Sequence, residues 1–208
     1  APLNGLTTNQ LNLSFNWSGS TGTRSGVINY KLEISTNAGF IPVFYSTVVP
    51  VMNYYAVLHQ STFYWRVCAH DRAGNQSAYS AYYSIVIDTS APGTPLLTNP
   101  VSGLTTNSMN ITFYWNDVTD NGPAGINYYE IQLSTDNIFS VVNYSSVTVT
   151  ANCYLSSVNS QLYYWRTRAT DRVGYYSQWS TTYSVIIDTM PPVVKTNIES
   201  GGDLTWRN

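Results

Sequence analysis

The sequence predicts an all-β protein built from two tandem sandwich domains, and two observations support this prediction. Residues 64–89 return 100 residues later as residues 164–189, with the tryptophan, arginine, aspartate and glycine positions kept in register. A period of this length indicates whole domains in tandem rather than the short units of a solenoid. Apolar and polar residues alternate through several short segments, whereas helical periodicity extends over no stretch longer than a turn.

The repeat divides the chain into two domains and an extension. We place the first domain at residues 1–89, the second at 90–189 and a C-terminal extension at 190–208. Each domain is large enough to bury a sandwich core without a metal or disulfide. Cys68 and Cys153 stand at non-equivalent positions, so no disulfide repeated within each domain is predicted.

The strands follow in order along each copy. The first alternating segment spans residues 11–17 in the first copy and 109–115 in the second, and its apolar positions are predicted to face a core: Leu11, Leu13, Phe15, Trp17, Met109, Ile111, Phe113 and Trp115. The second segment places these residues inside: Tyr30, Leu32, Ile34, Tyr129, Ile131 and Leu133.

The last two strands flank a turn. Along the first of them the inward positions are predicted to be Phe63, Trp65, Val67 and Ala69. The following Asp-Arg-x-Gly supplies the turn, and a final strand begins with Tyr83, Ile85 and Ile87 facing inward. Several short strands per domain, separated by turn signals, are typical of β-sandwiches.

Composition limits the function classes. Charged residues make up 10% of the chain, and the formal net charge is −2. Few and scattered basic residues exclude an electrostatic nucleic-acid surface. A neutral, polar surface is typical of extracellular proteins that are glycosylated or packed against neighbours. We find no apolar run of membrane-spanning length and no leader before Ala1, and we expect a mature or excised segment.

The repeated stretch identifies a family resemblance. The sequence YYWRTRATDRVG at residues 163–174, followed by SQWS at 177–180 and IDTMPP at 187–192, resembles the fibronectin type III and immunoglobulin-like repeats of prokaryotic cell-surface proteins. The resemblance covers both copies almost end to end. It implies two fibronectin type III or immunoglobulin-like sandwiches, a fold that serves in spacers, adhesins, filaments and enzyme appendages.

A second resemblance suggests an aromatic stack. The SQWS segment looks like half of the WSxWS element of cytokine-receptor modules, in which arginines stack on the tryptophan. This implies that Arg166 and Arg168, which project outward from the neighbouring strand, stack on Trp179. The first copy, with Tyr79, Arg66 and Cys68 at these positions, is expected to have a weaker version.

Residues suited to catalysis are scarce. His59 and His70 do not recur in the second copy, and no hydrolase, zinc-protease or phosphate-binding motif is present. Asp117, Asp120 and Asn121 could ligate calcium, but their composition is that of an ordinary turn, which is the interpretation we favour. We therefore predict no catalytic residue, no metal site and no cofactor.

Surface residues suggest contacts and modification. Outward aromatic residues of the second domain suit protein contacts better than a compact sugar site: Tyr114, Tyr128, Tyr164, Tyr175 and Tyr176. Five sequons could carry glycans: Asn12, Asn16, Asn75, Asn110 and Asn143.

The two ends of the repeat suggest assembly. The connector at 88–100 leads into Leu96 and Leu97, which are predicted to begin the second domain, and the first domain has no equivalent segment. Residues 188–197 repeat the connector, so four apolar residues are candidates for an assembly tail: Val193, Val194, Leu204 and Trp206. Either the chain is an excerpt of a longer repeat protein, or the tail adds a strand to the first domain of another copy.

These inferences lead to one functional prediction and one alternative. We predict a non-enzymatic extracellular or cell-surface structural protein, a stalk or filament subunit. Its partners would be identical subunits arranged head to tail, or further repeats of the same chain. The alternative is a carbohydrate-binding adhesin or an accessory module of a secreted enzyme, with a glycan or surface molecule as its ligand.

Overall fold

The computed structural model describes residues 2–21 and 24–194. The regular secondary structure of this part of the chain consists of β-strands, which form four sheets. Two sheets belong to the first repeat and two to the second, and each pair encloses its own core. No helix in the described ranges is long and apolar enough to cross a membrane.

Seven strands build the first domain: β1 (Leu6–Thr8), β2 (Asn12–Asn16), β3 (Val27–Ser35), β4 (Tyr45–Val49), β5 (Asn53–Val57), β6 (Ser61–Asp71) and β7 (Tyr83–Ile87). One sheet has the order β1-β7-β6-β3-β4, and the other consists of β2 and β5. The pairing is antiparallel throughout except that β1 runs parallel to β7.

Eight strands build the second domain: β8 (Leu97–Asn99), β9 (Leu104–Thr106), β10 (Ile111–Trp115), β11 (Ile126–Ser134), β12 (Tyr144–Thr148), β13 (Asn152–Leu155), β14 (Leu162–Asp171) and β15 (Tyr183–Ile187). The larger sheet has the order β12-β11-β14-β15-β9, which repeats that of the first domain. The smaller sheet has the order β13-β10-β8, so it contains one strand more than its counterpart.

Alternation along the strands produces the two cores. Phe15 of β2 meets Trp65 of β6 edge to face at 5.3 Å, and Phe113 meets Trp165 in the same way at 4.9 Å. All four side chains are buried. Such pairs contribute roughly 0.5–1.5 kcal/mol beyond the burial of their area, so they fix how the two sheets face each other.

Three residues predicted to face the core lie at the surface instead. Leu11, Met109 and Tyr83 are 39%, 41% and 42% exposed. Leu11 and Met109 precede β2 and β10, so they stand outside the alternation that orients the strand residues. Tyr83 is the first residue of β7, and its ring forms an edge-to-face pair with Trp65 at 5.3 Å.

The turn after the longest strand of each domain is closed by its aspartate. Asp71 Oδ1 accepts hydrogen bonds from the backbone N–H groups of Ala73 and Asn75, and Asp171 Oδ1 accepts them from three residues of the equivalent turn. Gly74 and Gly174 have φ values of 87° and 95°, which favour glycine. The predicted Asp-Arg-x-Gly turn therefore has a defined structural basis.

The connector between the domains is held by the second domain. Gly93 N–H donates to the Thr119 carbonyl at 3.1 Å, and the Asn121 side chain donates to the Ala91 carbonyl at 2.8 Å. Gln60 of the first domain donates to the Asn121 carbonyl at 3.5 Å. The junction is therefore stabilised by contacts on both sides of the connector.

Candidate functional site

The candidate site is an open groove beside β2 in the first domain, here called the β2 groove. Two adjoining hollows of about 500 and 490 Å³ form it, and they share the residues Trp17, Ser18, Val67 and Ser80. Within the described residues β5 is the one strand that pairs with β2. The open edge of a sheet is a template for another strand.

The second domain shows what occupies the equivalent position. There β8 pairs antiparallel with β10, with Leu97 opposite Trp115 and Asn99 opposite Tyr114. The N–H of Asn116 also donates to the Leu96 carbonyl at 2.9 Å. Leu97 is 6% exposed and belongs to the same core cluster as Trp115. The connector of the chain therefore covers the edge that is open in the first domain.

Two serines are exposed in the first copy and buried in the second, which agrees with the cover that the connector provides in the second domain. Ser177 and Ser180 are each 6% exposed, whereas their counterparts Ser77 and Ser80 are exposed. The hydrogen bonds are equivalent, since Ser80 Oγ accepts from the N–H of Val67 and Ser180 Oγ accepts from that of Thr167. The hydrogen bonds of these serines are thus unchanged, and over the described residues the two copies differ here in burial. Sequence reasoning missed these serines because their signal is a difference in burial.

The candidate assembly tail is described only at its beginning. Val193 and Val194 are 85% and 83% exposed, with no strand assigned to them. Leu204 and Trp206 lie outside the described residues. Two large apolar side chains at high exposure are compatible with a segment that docks elsewhere.

The structure brings the three residues of the Arg-Trp stack together. The guanidinium carbons of Arg166 and Arg168 lie 4.2 and 4.5 Å from the ring centroid of Trp179. Arg166 also stacks on Phe139 at 3.9 Å, and Arg168 on Tyr176 at 4.1 Å. Burial lowers the pKa of Arg166, and the neighbouring positive charge of Arg168 lowers it further. The aromatic rings and the polar side chains of β11 stabilise the charged guanidinium group of Arg166 against this effect of burial.

The polar partners lie on β11. Arg168 forms an ion pair with Glu130 at 2.6 Å, and Arg166 donates two hydrogen bonds to the Gln132 side chain. Phe139, Arg166, Trp179, Arg168 and Tyr176 therefore form a ladder in which aromatic rings alternate with guanidinium groups. Polar side chains of β11 bind the two guanidinium groups. Such cation-π contacts stabilise the packing of side chains on one face of the second domain.

The first domain carries a related cluster centred on a carboxylate. Arg66 lies between Tyr79 and Phe40, 3.9 and 4.0 Å from their centroids. Glu33 accepts hydrogen bonds from Arg66 and the Tyr79 hydroxyl and pairs with Lys31 at 2.7 Å. Burial alone would raise the pKa of Glu33, but the hydrogen bonds from Lys31, Tyr79 and Arg66 hold that pKa at about 2.

The other candidate residues are dispersed. Tyr114 of β10 and Tyr176, which forms an isolated bridge with Thr170 of β14, are 44% and 48% exposed, while Tyr128, Tyr164 and Tyr175 are half-buried. All five sequon asparagines are exposed, and four of them use their side chains in hydrogen bonds: Asn16, Asn75, Asn110 and Asn143.

The histidines and cysteines form no common site. The ring of His59 packs on Phe44 and Phe63, whereas His70 forms an isolated β-bridge with Gln76. Cys68 and Cys153 are buried free thiols in separate domains, and burial raises the pKa of each.

The strand order and the two facing sheets of each repeat define the class of the protein. It is an all-β protein with two domains of the fibronectin type III and immunoglobulin-like sandwich fold. No family model matches the sequence, and no curated protein matches it.

Solved structures with similar folds include fibronectin type III modules. The fibronectin(III)-like modules of Clostridium thermocellum CbhA are 11% identical, with a TM-score of 0.41, over 90% of this chain and 92% of that chain. The FN1–FN3 domains of chicken CNTN1 are 15% identical, with a TM-score of 0.45, over 89% of this chain and 62% of that chain.

Proposed function

We propose that this chain is a non-enzymatic extracellular structural protein, a stalk or filament subunit. In this proposal residues 190–208 of one copy dock in the β2 groove of the next copy. One observation supports it above the others: the chain already covers the equivalent edge of its second domain with its own connector, where Leu97 is buried opposite Trp115. The same contact, made between copies, is β-augmentation.

The tail has the chemistry that this groove requires. It follows Asp188-Thr189 as the connector follows Asp88-Thr89, and it brings Val193 and Val194 close to the place of the leucines. Valine suits a half-buried strand. The groove is lined by Trp17, Val67 and other neutral residues, so no charge opposes an apolar strand.

Such a contact would repeat from copy to copy. The second domain of one copy and the first domain of the next would be arranged in the same way as the two domains within one chain. This is a heterologous contact, which forms a filament when it does not close into a ring. The low charge of the surface, 10% of residues, reduces repulsion between copies.

The exposed tyrosines favour this proposal over the carbohydrate-binding alternative. A sugar site needs aromatic rings in one strip, whereas Tyr114 lies on β10 and Tyr176 lies beside β14. Because these strands belong to opposite sheets, the two rings do not share a face. The rings that do cluster, Phe139, Trp179 and Tyr176, stack on Arg166 and Arg168. Exposed rings on different faces suit contacts with several neighbours.

Complementary variants test the proposal. A chain lacking 190–208 keeps the groove and loses the donor, whereas Ser18→Arg keeps the donor and blocks the groove, where Ser18 is exposed and lines both hollows. Thr105→Arg, at an exposed position of β9, is the matched control. Circular dichroism establishes that each variant folds.

Light scattering and electron microscopy supply the readout. We expect the wild type and Thr105→Arg to form chains whose length increases with protein concentration. The truncated chain and Ser18→Arg should each remain monomeric. A mixture of these two variants should give a heterodimer, since Ser18→Arg supplies the donor segment and the truncated chain supplies the groove. A wild type that stays monomeric would contradict the proposal, as would unchanged assembly of the truncated chain.

A further inference from the structure

Three aspartates from distant parts of the sequence meet at the junction between the domains. Asp88 follows the last strand of the first domain, Asp120 lies in the loop between β10 and β11, and Asp171 ends β14. One carboxylate oxygen from each lies within 4.8 Å of the others. Asp88 and Asp171 are 0% exposed, and Asp120 is half-buried.

The charge of this cluster is not balanced by the described side chains. None of the ion pairs found within the described ranges involves these aspartates. Arg172 is nearby, but its Nη1 donates to the Ala124 carbonyl at 3.4 Å.

One buried oxygen in the cluster has no donor. Asp171 Oδ1 accepts three backbone hydrogen bonds in its turn, while its Oδ2 is buried and accepts none from the described residues. A buried carboxylate oxygen without a partner carries a substantial free-energy cost. This orphaned oxygen is an independent indication that a ligand belongs here.

The first domain shows how the same turn is satisfied without a ligand. Asp71 Oδ2 accepts from Ser25 Oγ at 2.7 Å and from the Asn75 side chain at 3.0 Å. The side chain of Asn75 and that of Ser25 together hold the pKa of Asp71 at about 2. In the second copy Ala124 and Tyr175 stand at these two positions, so both side-chain donors are lost.

The positions at which the second copy lacks these side-chain donors face the other two aspartates. Ala124, at the place of Ser25, donates its backbone N–H to Asp88 Oδ2 at 2.9 Å. The unpartnered Oδ2 of Asp171 therefore points to the side where Asp88 enters. Gly122 permits this entry, because a Cβ atom there would collide with the Asp88 carboxylate. Backbone and side-chain changes in the second copy thus combine to admit a carboxylate from the first domain.

We propose that Asp88, Asp120 and Asp171 bind a calcium ion that ties the two domains together. Calcium is a hard cation that takes carboxylate and carbonyl oxygens as ligands. Because Asp88 belongs to the first domain and the other two to the second, the bound ion stabilises their relative orientation. This site does not depend on strand donation.

The site corrects the ligand set considered from the sequence. Of Asp117, Asp120 and Asn121, only Asp120 belongs to it, since Asp117 accepts from the Tyr129 hydroxyl and Asn121 donates to the Ala91 carbonyl. Asp88 and Asp171 were missed because they repeat in both copies as turn residues. The sequence signal for the site is that the second copy has Ala124 and Tyr175 where the first copy has Ser25 and Asn75.

Calcium titration of the metal-free wild-type chain tests the proposal, with calorimetry and thermal unfolding as readouts. Extracellular calcium sites bind with dissociation constants of roughly 0.1–1 mM, and we expect one site per chain in this range. Asp120→Asn and Asp171→Asn should weaken binding about tenfold or more, because each removes a charged ligand. Circular dichroism without calcium verifies their folding.

Asp188→Asn is the matched control. Asp188 is the counterpart of Asp88 and makes the same local bond, accepting the N–H of Met190 as Asp88 accepts that of Ser90, both at 2.9 Å. This variant should bind calcium as the wild type does. A wild type without binding or thermal stabilisation at about 10 mM calcium, ten times the weakest constant expected, would overturn the proposal. Equal weakening by Asp188→Asn would also overturn it.

Discussion

Leu97 lies opposite Trp115 in the pairing of β8 with β10, and both side chains are buried in the core of the second domain. In the first domain Trp17 occupies the position of Trp115 and is only half-buried beside an open groove. One strand of three residues therefore accounts for the principal difference between the two copies. The proposal that a strand docks in the β2 groove is based on this difference.

Truncation of Leu97 should destabilise the second domain. Leu97→Ala removes a side chain that is 6% exposed, and we expect a loss of roughly 2–5 kcal/mol in the free energy of unfolding. Leu96→Ala is the control, since Leu96 is 62% exposed and should change stability by less than about 0.5 kcal/mol. Urea unfolding followed by tryptophan fluorescence measures both. Equal effects would show that β8 does not hold Leu97 in the core.

Sequence alone was sufficient to predict the fold class because period-two alternation is a local property. Phe15, Phe63, Trp65 and Ile85 are buried as their alternation predicted. The errors occur where that pattern stops: Leu11 precedes its strand and is 39% exposed. Strand ends depend on how the neighbouring chain continues, which a local pattern does not contain.

The candidate sites were harder to predict because they depend on residues distant in sequence. Ser80 and Ser180 are identical in sequence and bonding, yet only the second is covered. Asp71 and Asp171 close equivalent turns, yet Asp171 Oδ2 lacks the two side-chain donors of Asp71 Oδ2, and carboxylate oxygens of Asp88 and Asp171 lie within 4.8 Å of each other. In both cases the repeat alone predicts that the two copies are equivalent, and contacts between residues distant in sequence make them differ.

Trp179 should contribute to the stability of the second domain through its two arginines. Trp179→Ala removes both stacking contacts, each worth about 0.5–2 kcal/mol, so we expect a loss of roughly 1–4 kcal/mol in unfolding free energy. Tyr176→Ala, which removes a contact with Arg168 alone, should cost less. A double-mutant cycle of Trp179 with Arg166 isolates the coupling. A coupling energy near zero would mean that stacking does not stabilise the sheet.

Gly122 should be required for the junction between the domains. Gly122→Ala introduces a Cβ atom into the position of the Asp88 carboxylate, so the loop or Asp88 must move, at a cost of roughly 1–3 kcal/mol. Gly93→Ala is the control, since its added Cβ would meet the Thr119 carbonyl oxygen at an ordinary 3.4 Å.

Hydrogen exchange of the Ala124 amide reports on this change. That amide donates to Asp88 Oδ2 across the junction and is buried, so its exchange is slow while the contact holds. Exchange should accelerate in Gly122→Ala and remain as in the wild type in Gly93→Ala. Unaltered protection in both variants would show that Asp88 can enter without a glycine.

Acid should weaken the first domain through Glu33. The pKa of this carboxyl is about 2 in the folded protein against an ordinary 4.5, so its charged form is favoured by folding. The stabilisation, up to about 3 kcal/mol, is fully present above the ordinary pKa and is lost as pH falls from 4.5 towards 2. Since Asp71 and Asp136 also have pKa values of about 2, acid affects other groups, and the comparison must isolate Glu33.

Glu33→Gln provides that comparison, and the second domain already has glutamine at the equivalent position, Gln132. We expect this variant to be less stable than the wild type at pH 7, because Arg66 and Lys31 lose their carboxylate. The difference between the two proteins should shrink as pH falls below 4.5. Urea unfolding at several pH values measures it. A difference that stays constant down to about pH 3 would show that the charge of Glu33 is not what stabilises the cluster, because protonation of a low-pKa carboxyl must remove the stabilisation that depends on its charge.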